Sequence, residues 1–250
     1  MTGPVVLIGP KTRLGREVVA QLGGEVLIAV ARDAADAAVV AGLPGLDPSR
    51  VVDAASGQLA ERVAALGSGP VRLVVAALGP VHPEAPRTSY DAAGVVRDLA
   101  FVEQVLAAGR PVRIVLVSTI LALAPGADRR YYGGWKALVE QQLQQLVDEC
   151  TRAGGQATLS VLYPGRLLDA AQRRGRLRLH TSYQSLARRA LATGSSDRAV
   201  ERTVGIDSRI WFAVRSISLA LRSLTPSTRR SVPPSPEPGE TDQYLSGEGG

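Results

Sequence analysis

The chain has 250 residues, 45% hydrophobic and 21% charged, with a formal net charge of +6, which suits one large domain with a sizeable core. Its single cysteine, Cys150, excludes an internal disulfide framework, and no apolar run approaches the roughly 18 residues of a bilayer span. Aromatics are only 4%, so the core must come from Ala, Val and Leu; with no signal-peptide pattern at the start, a cytoplasmic protein is expected.

In chain order, Val5-Val6-Leu7-Ile8 is a short apolar run, followed by a turn from Gly9 to Gly15 and a helical pattern from Arg16 through Leu22. A second run, Val26 to Ala31, ends at Arg32-Asp33, and a third, Val51-Val52, ends at Asp53 before a helical segment at 57–66. Val71 to Leu78 makes a fourth strand, closed by Gly79-Pro80; a helix fits 91–108, stopped by Gly109. The fifth strand, 112–118, precedes a helix running from about Tyr132 to Cys150, and Thr158 to Leu162 is a sixth, stopped by Pro164-Gly165. Continuously apolar strands alternating with amphipathic helices predict an α/β fold: a doubly wound, Rossmann-like parallel sheet in a single domain over 1–224. Residues 225–250, rich in Pro, Ser and Gly, read as a disordered tail.

The most informative segment is Tyr132-Gly133-Gly134-Trp135-Lys136. On a helix, Tyr132 and Lys136 share a face, and a lysine beside a phenol is expected to lower the phenol pKa towards working pH, making Tyr132 a general acid/base. Ser118, at the end of the preceding strand, is the third candidate catalytic residue. The turn Gly9-Pro10-Lys11-Thr12-Arg13-Leu14-Gly15 stands where a pyrophosphate rests on a helix N-terminus. Gly9 allows the tight turn and Gly15 close helix packing, but Thr12 and Arg13 replace the usual middle glycine. Arg32 ahead of Asp33 suits a ribose 2′-phosphate, which favours NADPH over NADH.

On these residues the chain resembles a short-chain dehydrogenase/reductase over roughly 4–224. The resemblance implies that Ser118, Tyr132 and Lys136 are catalytic, with Lys136 also holding the nicotinamide ribose, and that Gly9 to Gly15 cradle the cofactor. It further implies that Asp53 contacts the adenine, that Ala77 and Gly79 of Ala76-Ala77-Leu78-Gly79 line the cofactor, and that Pro164-Gly165 pack near the nicotinamide. Val204-Gly205-Ile206-Asp207, with the helix 208–224, resembles a late element of the extended and atypical branches. A substrate lid is expected over 166–203. The chain departs from the family in containing no asparagine, so the frequent fourth catalytic residue is missing, and in its incomplete glycine turn; it reads as a divergent or atypical member.

The expected function is NADPH-dependent reduction of a carbonyl or imine on a small molecule, with Tyr132 as the acid. Two alternatives stay open: a non-catalytic cofactor-binding sensor or scaffold, and an epimerase or dehydratase using the cofactor transiently. Arg173, Arg174, Arg176, Arg178, Arg188 and Arg189 crowd one segment, read either as a solvated face or as a contact for an anionic or carrier-tethered substrate. Sparse aromatics speak against nucleic acid. His82 and His180 look isolated, so no metal site is expected. The apolar face of 208–224 (Ile210, Trp211, Val214, Ile217, Leu221, Leu224) suits packing on the sheet or in a homo-oligomer such as a dimer, rather than membrane binding.

Overall fold

The computed structural model describes residues 3–23, 25–67, 69–79, 92–123, 130–168, 180–196 and 198–224, with side chains undescribed at 130 and 218–224. The expected tail at 225–250, His82, and four of the six clustered arginines lie outside these residues. The chain divides into a body, Met1–Arg215, and a second unit, Ser216–Gly250, described only through the end of its helix at Leu224.

Seven parallel strands form one sheet in the order β3-β2-β1-β4-β5-β6-β9, so the doubly wound α/β architecture is observed. The strands are β1 (Val5–Ile8), β2 (Leu27–Ala31), β3 (Val51–Asp53), β4 (Val71–Val75), β5 (Val112–Val117), β6 (Ala157–Pro164) and β9 (Glu201–Val204). A separate two-stranded pair joins β7 (Leu167–Leu168) to β8 (Thr181–Ser182). The helices are α1 (Arg13–Leu22), α2 (Ala34–Ala41), α3 (Leu59–Ala64), α4 (Ala92–Leu106), α5 (Ile120–Leu123), α6 (Arg130–Arg152), α7 (Tyr183–Gly194) and α8 (Ile206–Leu224).

Because side chains alternate across a strand, each strand feeds two cores. Val6, Ile8, Leu73, Val75, Ile114, Leu116 and Val161 pack beneath α3, α4 and α6. Val5, Leu7, Ala29, Val74, Val115, Val117 and Leu162 pack beneath α1, α2 and α7. Burial on both faces explains why β1 and β2 read as unbroken apolar runs. The sheet ends earlier than the apolar composition does: β4 stops at Val75, and Ala76 makes a last bond to Ile8 O before the chain leaves the sheet. Helix α2 was not expected, because its Ala-rich text lacks periodicity; Asp33 starts it by accepting the Asp36 N–H at 2.8 Å.

Within the stretch expected to be a lid, Tyr183–Gly194 is the crossover helix α7, capped by Ser182 and buried through Leu186, Ala187 and Ala190. Residues 169–179 of that stretch lie outside the described residues. On α8, Ile206, Ile210, Phe212 and Val214 are exposed, while Trp211 packs against the α4/α6 core. If α7 is scaffold, Leu186→Ala should cost about 2–5 kcal/mol of stability in urea unfolding, the range for emptying a leucine site in a core. A loss within about 0.5 kcal/mol, as at a surface position, would make α7 a loosely docked flap instead.

Candidate active site

Strands β5 and β6 supply the first half of the site. Their register pairs Val117 with Leu162, and the Ser118 N–H donates to Leu162 O at 3.0 Å. Ser118 and Tyr163 therefore end adjacent strands side by side. Both follow the alternation of the α4/α6 face: Ser118 comes two residues after Leu116, and Tyr163 two after Val161.

Helix α6 covers that face and supplies the second half, carrying Tyr132, Lys136 and Glu140 at four-residue spacing along one side. The Glu140 carboxyl bridges the two strand ends: Oε1 accepts the Ser118 hydroxyl, and Oε2 accepts from Tyr163 Oη at 3.0 Å. Lys136 is buried and donates from Nζ to the Leu78 carbonyl at 2.7 Å. The same nitrogen lies 5.8 Å from the Tyr132 ring centroid, within cation–π range. The expected Tyr/Lys pair thus shares a face, and Ser118 reaches the same helix through Glu140. Glu140 and Tyr163 were given no role from sequence, although Glu140 simply continues the spacing of Tyr132 and Lys136 by one turn.

The pKa directions correct one expectation. Lys136 does not bring the Tyr132 phenol down; burial, with Tyr183 nearby, pushes it up to about 12. Burial also lowers Lys136 to about 8, against the opposing pull of the Glu140 and Asp98 carboxylates. Glu140 is held above the ordinary carboxylate range by burial, which outweighs the Ser118 and Tyr163 hydrogen bonds and the Lys136 charge. Desolvation dominates because Ser118, Lys136 and Tyr163 are buried and Tyr132 and Glu140 partly so.

The opening turn lies beside these strand ends. Gly9 has φ +82, and a Cβ there would stand 2.8 Å from Ala77 Cβ; one on Gly15 would stand 2.3 Å from Gly9 O. Both glycines are therefore sterically required. Thr12, in place of the middle glycine, has φ −68, open to any residue, and it caps α1: its Oγ1 accepts the Gly15 N–H at 3.0 Å. Lys11 forms an ion pair with Asp36, whose carboxylate also accepts the Arg32 N–H at 2.9 Å. Arg32 itself is exposed after β2. Asp53 spends its carboxylate on the Ala55 N–H at 2.8 Å, just past the register pair Ala31–Asp53. Gly79, in the left-handed region, donates its N–H at 3.0 Å to buried Asp98 on α4.

Pro164 closes β6, and Gly165 is dictated by Asp207, whose Oδ2 would lie 2.4 Å from a Cβ at 165. That oxygen accepts the Arg166 N–H at 2.9 Å and lies 2.8 Å from His180 Nδ1. His180 is therefore not isolated, as its sequence surroundings suggested, but paired with a carboxylate distant along the chain. A cleft of about 660 Å³ lined by Glu103, Arg110 and Cys150 involves none of the candidate residues.

No family model and no curated protein matches the chain. Solved structures do. A short-chain dehydrogenase from Burkholderia cenocepacia J2315, in complex with NADP, superposes with a TM-score of 0.59 at 19% identity, over 90% of this chain and 98% of that one. An oxidoreductase of the short-chain dehydrogenase/reductase family from Burkholderia thailandensis gives 0.55 at 19% identity, over 88% and 98%. ElxO carrying a tyrosine-to-phenylalanine change, with NADPH bound, gives 0.56 at 12% identity, over 84% and 100%. The chain has the fold of the short-chain dehydrogenases/reductases.

A dinucleotide fits the residues present. The Gly9–Gly15 cradle admits no Cβ at either end, α1 offers its positive N-terminus, and Lys136 brings a buried cation to the strand ends. In the unfolded chain Lys136 keeps its proton to about pH 10.5, but in the folded chain only to about 8, so stability rises with pH across that window. Lys136→Met should therefore be more stable than the parent at pH 7, with the advantage shrinking between pH 8 and 10.5 in paired urea titrations. A pH-independent difference would show that the buried ammonium is not the destabilising feature.

Proposed function

We propose that the chain is an NAD(P)-dependent oxidoreductase that reduces a carbonyl, or an imine, on a small organic molecule, with NADPH preferred over NADH. The observation that carries this reading is the buried Lys136 ammonium, placed at the strand ends beside Tyr132 and lowered to about 8 by desolvation. A buried cation of this kind costs stability, which a passive scaffold has no need to bear.

Bound NADPH would supply the hydride. Tyr132 would hand its proton to the reacting oxygen, and its raised pKa of about 12 keeps that proton in place at neutral pH, the state in which reduction begins. Oxidation would need the phenolate, which the same burial disfavours. Ser118 would fix the reacting oxygen, and Lys136 would hold the ribose. Exposed Arg32 supports the 2′-phosphate preference, because Asp33, the acidic alternative, is engaged as the cap of α2. The partner is taken to be a small molecule, not nucleic acid or a membrane; among the described residues no helix is long and apolar enough to cross one.

Titration with NADPH and NADH, followed by cofactor fluorescence, should show tighter binding of NADPH, and Arg32→Ala should erase most of the difference. Tyr132→Phe should bind NADPH as the parent does and lose about 10²–10⁴-fold in turnover, the usual worth of a positioned proton donor. No binding at millimolar cofactor, or unchanged turnover in Tyr132→Phe, would refute the assignment.

A further inference from the structure

The bridge between Ser118 and Tyr163 has a chemical consequence. When Glu140 is ionised, both carboxylate oxygens are acceptors, and the Ser118 proton is spent on Oε1. Ser118 then presents only lone pairs to a substrate. When Glu140 is protonated on Oε1, its own O–H donates to Ser118 Oγ, and the Ser118 proton is released towards the reacting oxygen. Tyr163 donates to Oε2 at 3.0 Å in either state, which holds the carboxyl in place.

We infer that Glu140 is a positioning residue whose carboxyl group decides whether the Ser118 hydroxyl proton points into the protein or at the reacting oxygen. The one covalent change is the Oε1–H bond of Glu140, whose proton is exchanged with water when the group titrates; otherwise only hydrogen bonds rearrange. The kinetic part of this inference rests on the reductase reading above. As hydride adds to a carbonyl carbon, charge develops on its oxygen, and a second donor there stabilises the transition state. Reduction therefore needs protonated Glu140.

The groups facing Glu140 come from four elements: Ser118 after β5, Tyr163 on β6, Glu201 on β9, and Lys136 one turn away on α6, with Asp98 of α4 acting on Lys136. Burial and Glu201 favour the neutral acid; Ser118, Tyr163 and Lys136 favour the carboxylate. Burial is the largest of these and holds the group above the ordinary range, so the protonated form extends to higher pH than in a free glutamate.

The test pairs infrared titration of the purified protein with kinetics. The carboxylic-acid carbonyl band of Glu140, identified by its loss in E140Q, should persist above pH 4.5, the ordinary glutamate value. Ser118→Ala and Tyr163→Phe each remove a donor to the carboxylate, so each should move the loss of that band to higher pH. In carbonyl reduction, kcat/KM of the parent should fall with rising pH at the midpoint of the band. E140Q, whose amide can donate to Ser118 while accepting from Tyr163, should lack that limb. Glu140→Leu, able to do neither, should lower kcat on the order of 100-fold, the worth of one preorganised donor, with KM little changed.

A band midpoint unmoved by Ser118→Ala overturns the inference whether or not turnover is found. So does a parent kcat/KM that stays flat across the midpoint, or an E140Q profile that keeps the parent limb. A protein that binds NADPH yet reduces no carbonyl or imine refutes the reductase reading instead, and the Ser118→Ala shift then decides on its own whether Glu140 controls the serine proton.

Discussion

The site is organised around an ammonium group buried away from solvent. Lys136 can stay charged inside the protein only because other groups replace its hydration: the Leu78 carbonyl at 2.7 Å, the face of the Tyr132 ring, and the fields of Glu140 and Asp98. Each comes from a different part of the chain. Leu78 lies where the chain has left the sheet after β4, Asp98 is on α4, and Tyr132 and Glu140 flank Lys136 by one turn on α6. Asp98 also holds the turn in place, because it accepts the Gly79 N–H next to Leu78. One buried charge thus ties the end of β4 to the two long helices over the same face of the sheet.

This dependence explains which features were legible in the sequence. The strands were, because burial on both faces leaves runs such as Val5–Ile8 and Leu27–Ala31 without a polar residue on either side. The Tyr132/Lys136 pair was, because helical spacing is local. Glu140 was within reach of the same argument one turn later, but its meaning depends on Tyr163, and that depends on the β5/β6 register, a pairing between strands far apart in sequence. His180 and Asp207 are likewise brought together only by the folded chain. No local pattern announces either pairing.

Two elements have features that their sequence alone does not announce, each for a physical reason. Apolar composition continues from Val75 through Leu78, but the ladder does not, since beyond the Ala76 bond the chain has to turn towards Gly79 and Asp98. In α7, exposed Arg188 and Arg189 drew attention to charge, whereas Leu186, Ala187 and Ala190 carry the packing on the opposite side. Small residues make a narrow apolar stripe that is easy to overlook beside arginines, yet they let α7 lie close to the sheet, with Gly194 against Val115 and Arg72.

The proton inventory of the site follows from a single cause. Low polarity disfavours whichever form is charged, so it raises Tyr132, Tyr163 and Glu140 and lowers Lys136. The expectation that a lysine would sharpen the tyrosine's acidity treated the pair as though charge attraction were the larger effect. Once both groups are desolvated, burial outweighs it. Burial thus moves all four groups towards their neutral forms, and Lys136 remains charged only to about pH 8. On the reductase reading proposed above, that balance favours giving a proton to a developing anion over removing one from an alcohol. The protonation of these groups is therefore set less by the pairing of Tyr132 with Lys136 than by how far the fold withdraws them from solvent.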